Sequence, residues 1–393
     1  MKIGVHWVQF EAGGVDTNLL SMIKNWPNDD HFVIFYNKDN EGLKRISSEL
    51  EKYKVQLISF EIQKRSYISK LFQFVFFPIY FFWLRLTQCR VLQSITGLDA
   101  IMVQNGSYPG AWHSLAAVWA AHKINIKKRM LIIHHGALHS NIIHYPGEKI
   151  INYMIHAWAT DIVAVSRATR QTLIDYKGFD PYRNPIRVVH NGIDISTDCS
   201  INPMQIRNKL KIDKNVILLG MIGRIERYKG HEDLLLAMNE VDSEMLSNLV
   251  VVFIGSGKTK EIDRLKEMAC KLDLEDKVIF PGYLEGNSIQ LISQLNILLM
   301  LTKDFEGFGL TIAEAMAAGI PVIATKVGGV QEFVDQTVSC LIPPESPSDI
   351  AKALTAYIKN PEDFNLRALK AKEHIKSFSG AKMSSQYCRL LNV

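Results

Sequence analysis

Short apolar runs rich in β-branched residues alternate with segments of helical length along most of this chain. The first series of runs covers residues 2–8, 32–36, 55–60, 100–104, 130–134, 161–165 and 186–190. The second series covers residues 216–219, 250–254, 278–280, 297–301, 321–324 and 339–342. This alternation is typical of parallel strands joined by crossover helices. The sequence therefore predicts two successive α/β domains of Rossmann-like type, each built on a parallel sheet.

Turn-forming residues separate the two series. Residues 191–198 read Asn-Gly-Ile-Asp-Ile-Ser-Thr-Asp and show no helical or strand periodicity. We therefore predict a first domain over residues 1–200 and a second over residues 201–377. Because ligands of open α/β sheets bind outside the carboxyl ends of the strands, the two parallel sheets are expected to face a central cleft.

Composition sets limits on the class of protein. Of the 393 residues, 47% are hydrophobic and 22% charged, which is enough apolar material for full cores. The net charge of +5 mildly favours anionic partners, without choosing among phosphates, lipid headgroups and nucleic acid. The five cysteines lie far apart and form no Cys-x-x-Cys pair, so we expect neither a zinc site nor a disulfide framework.

Two features bear on localisation. The segment from Met1 reads as a strand and lacks the long apolar region of a secretory signal. The most apolar stretch, residues 71–84, is about fourteen residues long, whereas a membrane-spanning helix needs roughly twenty. We therefore predict a cytoplasmic protein.

A glycine-bearing loop follows the run 297–301 and leads into a helical segment. Gly307 and Gly309 permit close approach of the backbone, and the first turn of the helix offers N–H groups to a phosphate. Glu306 and Glu314 could then accept hydrogen bonds from different hydroxyls of one extended ligand. An alternative stays open, because Thr311 and Glu314 have the spacing of a capping box and Glu306 could be a solvated loop residue.

Glu306 and Glu314 are separated by seven residues inside the pattern Glu-Gly-Phe-Gly-Leu-x-x-x-Glu. This pattern resembles the signature of the large family of retaining GT-B glycosyltransferases, family 4 in the usual classification. The resemblance implies that Glu306 contacts the donor sugar and that Glu314 binds the nucleotide ribose. It also implies that the backbone amides around Phe308, Gly309 and Leu310 meet the diphosphate.

A second element of the same family is similar to residues 223–230, which read Gly-Arg-Ile-Glu-Arg-Tyr-Lys-Gly. By this resemblance Arg224 and Lys229 would clamp the pyrophosphate. Fixed cations would stabilise the negative charge that builds on the leaving group when the sugar–phosphate bond breaks. The alternative is two surface cations beside a turn, as most arginine and lysine residues are.

Matches in the first half of the chain are shorter. Gly13 and Gly14 resemble the glycine-rich loop that follows the first strand in these enzymes, and they would let this loop approach donor and acceptor. The family often has an acidic and a basic residue next, and residues 15–18 read Val-Asp-Thr-Asn instead, which leaves the acceptor contacts open. His134-His135-Gly136 matches a histidine-glycine pair of the family, and the resemblance implies that His135 contacts the donor sugar.

Several weaker matches occur in family order. Gly255 and Gly257 could approach the nucleotide, and the backbone near Gly282 and Tyr283 could contact the base. Asn191 lies in the match at residues 189–194, and a further match covers residues 327–332. Each of these patterns alone is also compatible with a simple turn. Their order along the chain is what supports the resemblance.

The aromatic block 71–84 allows two interpretations. Lys64, Arg65 and Lys70 precede it, and Arg85 and Arg90 follow it, so residues 64–90 could lie in a membrane interface and contact anionic headgroups. The alternative is a core helix kinked at Pro78. A second basic cluster, formed by Lys123, Lys127, Lys128 and Arg129, is expected to be a solvated helix end. No aromatic-interleaved basic motif for nucleic acid occurs.

The resemblance implies a GT-B architecture, completed by a C-terminal helix of about residues 378–393 that returns to the first domain. It implies transfer of a sugar, with retention, from a nucleoside diphosphate to a hydroxyl of a glycan or lipid-linked acceptor, as in surface polysaccharide or glycoconjugate biosynthesis. No cofactor and no bound metal are expected, and a UDP-sugar is favoured over a GDP-sugar. Two alternatives remain: a nucleotide-sugar 2-epimerase of the same shape, and a non-catalytic glycan- or nucleotide-binding module.

Overall fold

The computed structural model describes residues 1–62, 77–139, 145–180, 182, 184–194, 205–284, 286 and 288–392. The chain divides into two compact units. Unit 1 comprises Met1–Gly192 together with Gly380–Val393, and unit 2 comprises Ile193–Ser379. The boundary thus follows Gly192, whereas the sequence-based boundary followed residue 200. Residues 195–204 lie outside the described residues.

Unit 1 is built on a parallel sheet of seven strands in the order β3-β2-β1-β4-β5-β6-β7. The strands are Lys2–Trp7 (β1), His31–Asn37 (β2), Val55–Phe60 (β3), Ala100–Asn105 (β4), Lys128–Ile133 (β5), Asp161–Ala164 (β6) and Ile186–Val188 (β7). The helices are Gly14–Lys24 (α1), Glu41–Leu50 (α2), Phe77–Gln93 (α3), Trp112–Lys123 (α4), Tyr145–Trp158 (α5) and Arg167–Lys177 (α6). The central strand β4 is buried along its whole length, which explains why it reads as a continuous apolar run.

Unit 2 is built on a parallel sheet of six strands in the order β10-β9-β8-β11-β12-β13. The strands are Ile217–Ile222 (β8), Leu249–Ile254 (β9), Val278–Gly282 (β10), Ile297–Met300 (β11), Val322–Thr325 (β12) and Cys340–Ile342 (β13). The helices are Gln205–Leu210 (α7), His231–Glu240 (α8), Ser243–Leu246 (α9), Thr259–Lys271 (α10), Ser288–Ile292 (α11), Leu310–Ala318 (α12), Pro347–Lys359 (α13) and Pro361–His374 (α14). The predicted fold class of two parallel α/β domains is confirmed.

The last helix, Gly380–Asn392 (α15), packs on α1 within unit 1. Met383, Tyr387 and Leu391 are each at most 2% exposed and belong to the same apolar cluster as Leu19. Ser384 Oγ donates a hydrogen bond of 2.9 Å to the carbonyl oxygen of Met22. The end of the chain therefore closes one face of the unit 1 core.

The two ends of unit 2 lie side by side. Ile193 and Ser379 form an isolated parallel bridge, and the Ile193 N–H donates to the carbonyl oxygen of Phe378 at 3.1 Å. The first and the last residue of unit 2 are therefore neighbours in space.

The described part of the aromatic block lies in α3, and Pro78 is the second residue of that helix. Residues 71–76, with Lys64, Arg65 and Lys70 before them, lie outside the described residues. Tyr80, Phe81 and Leu84 are buried in the unit 1 core. Among the residues that the structure describes, no helix combines the length and the apolar character needed to span a bilayer.

One residue of the second basic cluster, Arg129, forms hydrogen bonds that hold neighbouring elements together. Arg129 is the second residue of β5. Its Nε donates a hydrogen bond to the carbonyl oxygen of Trp158 at 2.6 Å, and a terminal guanidinium nitrogen donates one to the carbonyl oxygen of Lys127 at 3.1 Å. Desolvation lowers the pKa of the Arg129 guanidinium below its usual value. Arg129 thus ties the start of a strand to the end of α5. The expectation of a purely solvated helix end is wrong for this residue.

Candidate active site

Lys229 and Glu306 form an ion pair at the carboxyl end of the unit 2 sheet. Lys229 ends a short 3-10 turn that follows β8, and Glu306 lies in the loop that follows the neighbouring strand β11. The Lys229 Nζ is 2.7 Å from the Glu306 Oε2, and the Thr302 hydroxyl donates to the same oxygen at 3.2 Å. The two charged side chains are 22% and 18% exposed. The structure therefore brings together two predicted site residues that are 77 positions apart.

The loop of Glu306 is held by a second glycine-bearing turn, residues 328–332, which follows β12. The Gly329 N–H donates to the Glu306 carbonyl oxygen at 2.8 Å. Gly328 has φ +50°, and a Cβ at this position would lie 2.2 Å from the same oxygen. Only glycine allows this approach. The weak match at residues 327–332 thus has a role in supporting Glu306.

The turn that carries Lys229 also depends on a glycine. Gly230 has φ +78°, and a Cβ there would lie 2.1 Å from the carbonyl oxygen of Leu301, just beyond β11. The Lys303 N–H donates to the carbonyl oxygen of Tyr228 at 2.7 Å. These contacts fix the loop after β8 against the loop after β11, and so set the position of the lysine relative to the glutamate.

Arg224 lies earlier in the same loop and is more exposed. Its guanidinium contacts Glu226 Oε1 at 3.0 Å and the Tyr228 hydroxyl at 3.2 Å, and its side chain is 45% exposed. Sequence reasoning missed Tyr228, because nothing in the pattern Gly-Arg…Lys-Gly marks the residue before the lysine. The structure thus places both predicted cations in the loop after β8.

Gly255 and Gly257 follow β9 and pack against this loop. A Cβ on Gly255 would lie 1.7 Å from the carbonyl oxygen of Gly223, and a Cβ on Gly257 would lie 2.7 Å from that of Ile225. The Ile225 N–H donates to the Ser256 carbonyl oxygen at 2.8 Å. Close packing between the two loops therefore explains why these positions are glycine. The approach of this loop to a nucleotide stays a prediction.

Helix α12 begins at Leu310, and Gly309 is its N-cap with φ +99°. Thr311 is therefore inside the helix, so the alternative in which it forms a capping box with Glu314 is wrong. Glu314 is the fifth residue of α12 and therefore lies beyond the first turn of this helix. Phe308 is 2% exposed and its ring stacks on Phe333 with centroids 4.4 Å apart, so its side chain is part of the packed interior of unit 2.

Glu314 is the buried carboxyl group of the site. It is 6% exposed, and the Ser288 hydroxyl donates to its Oε1 at 2.6 Å. Desolvation raises the pKa of Glu314 to about 7. Near neutral pH this group can therefore accept hydrogen bonds or donate one. Sequence reasoning missed Ser288, which begins α11 and carries no motif of its own.

Tyr283 stands directly after β10. Gly282, with φ +75°, ends that strand, and the Tyr283 side chain is 45% exposed. Tyr283 follows the edge strand β10, and Gly255 follows the neighbouring strand β9, so both residues lie at the carboxyl ends of adjacent strands. Its position allows the predicted contact with a base.

In unit 1, Gly13 and Gly14 connect β1 to α1. Gly13 is the N-cap with an extended backbone, and the Asp16 carboxylate accepts a hydrogen bond from the Gly13 N–H at 2.7 Å. Asp16 is buried, and desolvation raises its pKa to about 7. A Cβ on Gly42 would lie 2.1 Å from this carboxyl group, so a glycine of α2 makes room for it. Asp16, the acidic residue that follows the two glycines, thus holds their loop in place, and the acceptor contacts of this loop stay open.

The two adjacent histidines differ in their surroundings. His134 Nε2 lies 2.6 Å from Gln104 Oε1, and desolvation lowers the pKa of His134 to about 4, so this ring is neutral at physiological pH. His135 is half-buried in the turn that follows β5. Asn191, which follows β7, is 5% exposed, and its buried Oδ1 has no hydrogen-bond partner among the described residues.

The predicted residues are therefore distributed over both units, in loops or at helix starts after the carboxyl ends of strands, except for Glu314, which lies inside α12. Unit 2 contains Arg224, Lys229, Gly255, Gly257, Tyr283, Glu306, Phe308, Gly309, Leu310 and Glu314; unit 1 contains Gly13, Gly14, His135 and Asn191. Within the described ranges, no three histidine, cysteine, aspartate or glutamate side chains are grouped so that they could hold a metal ion.

Comparison with known proteins gives matches in both halves of the chain. The family described as Glycosyl transferases group 1 matches residues 204–374, and Glycosyltransferase Family 4 matches residues 12–197. An uncharacterized glycosyltransferase of Methanocaldococcus jannaschii is 25% identical over 51% of each chain. The D-inositol 3-phosphate glycosyltransferase of Frankia alni is 30% identical over 55% of this chain and 54% of that protein. The chain thus spans about half the length of these two relatives.

Solved structures agree in fold. Anabaena Alr3699/HepE, whose crystal structure contains UDP, has a TM-score of 0.76 at 20% identity over the whole of both chains. Sucrose-phosphate synthase from Thermosynechococcus elongatus has a TM-score of 0.74 at 17% identity, over 100% of this chain and 98% of that one. These likenesses confirm the α/β architecture of GT-B glycosyltransferases. The two matching family models both describe glycosyltransferases and together cover residues 12–197 and 204–374, so this chain belongs to the glycosyltransferases that they describe.

Proposed function

We propose that this chain is a retaining glycosyltransferase that moves a sugar from a nucleoside-diphosphate sugar to a hydroxyl of a glycan or lipid-linked acceptor. The observation that carries the proposal is the partly buried pair of Lys229 and Glu306, fixed between loops at the carboxyl end of one sheet. Membership of the glycosyltransferase family supports it. The corresponding process is surface polysaccharide or glycoconjugate biosynthesis in the cytoplasm.

The charges of unit 2 fit the demands of this reaction. The bond between the anomeric carbon and the diphosphate breaks, and negative charge collects on the leaving oxygen. Lys229 and Arg224 stabilise this charge from the loop after β8, so that the reaction needs no bound metal. Backbone N–H groups of Gly309 and Leu310 at the start of α12 add a positive dipole end.

Glu306 and Glu314 bind different parts of the donor in this proposal. Glu306 contacts the sugar, and the buried Glu314 bonds the ribose hydroxyls. His135 contacts the sugar from unit 1. The acceptor oxygen attacks the anomeric carbon on the face that the diphosphate leaves, and the acceptor proton passes to the leaving phosphate. No side chain then has to act as a nucleophile, and the anomeric configuration is retained.

The donor is proposed to be a UDP-sugar. Alr3699/HepE of Anabaena has been solved with UDP and with UDP-glucose, and this relative shares the fold along the whole of this chain. The half-exposed Tyr283 and the backbone at Gly282 are the proposed contacts of the base. No further cofactor is required.

The first prediction concerns the Lys229–Glu306 pair. Purified protein is incubated with UDP-, GDP- and ADP-sugars, with and without membrane glycolipids, in the presence of EDTA, and release of nucleoside diphosphate is followed. We expect release from one donor that depends on an acceptor and survives EDTA. Glu306→Gln and Lys229→Ala should each lower kcat/KM by roughly 10²–10³-fold, the usual effect of removing one charge-stabilising group.

Lys352→Ala is the matched control, because Lys352 also belongs to a lysine–carboxylate pair of unit 2 but lies on the exposed face of α13. Its activity should equal that of the wild type. Turnover of the donor sugar without acceptor would instead identify the 2-epimerase. Tight nucleotide binding without any turnover would identify the non-catalytic module, and either result would overturn the proposal.

A further inference from the structure

Helix α3 presents an apolar stripe to solvent. Ile79, Phe82, Trp83 and Leu86 are 61%, 47%, 51% and 39% exposed. Their spacing of three, four and seven positions places them on one face of the helix. We call these four residues the apolar stripe. Large side chains in such a row are uncommon on the surface of a monomer and mark interaction sites.

The opposite face of the same helix is fixed in the core of unit 1. Phe81 stacks on Trp119 with ring centroids 5.5 Å apart, and Leu84 is 1% exposed. The core-helix interpretation is therefore correct for this face of α3, and the interfacial interpretation stays a prediction for the opposite face. One face of α3 anchors the helix, and this leaves the stripe in a fixed orientation.

The two aromatic residues of the stripe each pack against another aromatic ring of unit 1. The Phe82 ring packs edge-on against Trp119 at 6.0 Å, and the Trp83 ring stacks on Tyr80 at 6.2 Å. Tryptophan and tyrosine are the residues that prefer the boundary between water and lipid, because their rings are apolar but carry a polar group. The stripe thus has the composition of an interfacial anchor.

Along the sequence, the charged residues that flank the stripe have a single sign. No acidic residue occurs between Glu61 and Asp99, whereas this stretch contains five basic residues, namely Lys64, Arg65, Lys70, Arg85 and Arg90. The Arg85 guanidinium lies 4.4 Å from the Phe82 ring centroid and 4.9 Å from that of Trp119, so a cation is built into the aromatic cluster. An anionic surface complements this segment. A second copy of the chain, paired about a two-fold axis, would instead bring cations against cations.

We propose that the apolar stripe docks this protein on the surface of an anionic lipid bilayer. The stripe enters the interfacial layer while α3 lies along the membrane plane, and Arg85 and Arg90 meet the headgroups. Binding requires neither donor nor acceptor, so this inference stands independently of the proposed transfer reaction.

The test is sedimentation of the full chain with vesicles of phosphatidylcholine, alone or mixed with phosphatidylglycerol. We expect binding to the mixed vesicles and weaker binding to the neutral ones. The double variant Ile79→Ser with Trp83→Ser should lower the partition coefficient on mixed vesicles by about tenfold or more, because two large apolar groups no longer leave water. Arg90→Gln should lower binding to mixed vesicles only, and raised salt should act in the same way.

Leu366→Ser with Leu369→Ser is the matched control, since these residues are 59% and 60% exposed on α14 of unit 2 and are spaced three apart. This variant should bind vesicles as the wild type does. Circular dichroism confirms that each variant is folded. Equal binding of the stripe variant and the wild type would overturn the proposal. Light scattering without lipid supplies the other contrary outcome, a wild-type dimer that the stripe variant converts to a monomer.

Discussion

At the scale of single residues, each of the two predicted glutamates of unit 2 is hydrogen-bonded to a residue far from it in the sequence. Glu306 is bonded by Lys229, and Glu314 by Ser288. The sequence predicted the two glutamates and the lysine through a pattern, but not Ser288. A lone serine that begins a five-residue helix carries no local signal, and its contact with Glu314 exists only once α11 and α12 are packed.

Glu314 gives the stability of the protein a predictable dependence on pH. Its pKa is about 7 in the folded chain and near 4.5 when unfolded, so the folded state holds the proton more tightly. As pH rises from 4.5 towards 7, the unfolded chain loses its proton first, and this group lowers the free energy of unfolding by up to about 3 kcal/mol. Glutamine does not ionise, so Glu314→Gln removes this decrease in the free energy of unfolding.

We therefore expect Glu314→Gln to have a higher melting temperature relative to wild type at pH 8 than at pH 4. Differential scanning calorimetry at both values measures the difference. Glu362→Gln is a suitable control, because Glu362 is exposed in the first turn of α14. A difference between Glu314→Gln and wild type that stays constant with pH would contradict the assignment of a raised pKa.

At the scale of elements, glycines fix the relative positions of the loops that carry the site. The sequence showed that glycines occur in these loops, and it suggested for Gly255 and Gly257 that they let the backbone approach a nucleotide. The structure shows that Gly230, Gly255 and Gly328 each leave room for a neighbouring backbone carbonyl. The sequence could not predict this, because a glycine motif shows that a side chain is missing but does not show which group occupies the free space.

Gly328→Ala is expected to displace Glu306. The added methyl group would lie 2.2 Å from the Glu306 carbonyl oxygen, so the loop must move. We predict a fall in kcat/KM of at least about tenfold, since small displacements of a positioned group are costly to a reaction. Steady-state assays with the donor sugar that the screen described above selects provide the measurement.

Gly178→Ala separates this effect from backbone strain. Gly178 also has a positive φ, of +64°, but no atom lies within 4 Å of its absent Cβ. It should lose roughly 1 kcal/mol of stability and keep its activity. If both variants lose activity equally, crowding of the Glu306 loop is not the cause.

The strands are the elements that the sequence predicted best. All thirteen runs of the two series are strands, because buried parallel strands leave long apolar segments that periodicity detects. The start of α12 was predicted less well. Thr311 and Glu314 have the spacing of a capping box, yet the left-handed backbone of Gly309 sets the first residue of that helix.

At the scale of the whole molecule, the last helix completes the core of unit 1. Met383 and Leu391 of α15 are 1% and 2% exposed in a cluster with Leu19 and Met22 of α1. Leu391→Ala and Met383→Ala should each lower the free energy of unfolding by about 2–5 kcal/mol, the usual cost of a cavity in a packed core.

Chemical denaturation measures this change, and Arg389→Ala, on the exposed side of α15, should be close to wild type. Removal of residues 380–393 should have a larger effect and should expose Leu19 and Met22 to water. A truncated chain with unchanged stability would mean that α15 is dispensable for unit 1.

The bridge between Ile193 and Ser379 also has a consequence at the level of the gene. Unit 2 is one continuous segment of the chain, so one uninterrupted stretch of codons, 193 to 379, encodes it, and its two ends are neighbours joined by backbone hydrogen bonding. Unit 1, by contrast, is encoded in two pieces. A recombination event can therefore exchange unit 2 as a single cassette and leave unit 1 intact.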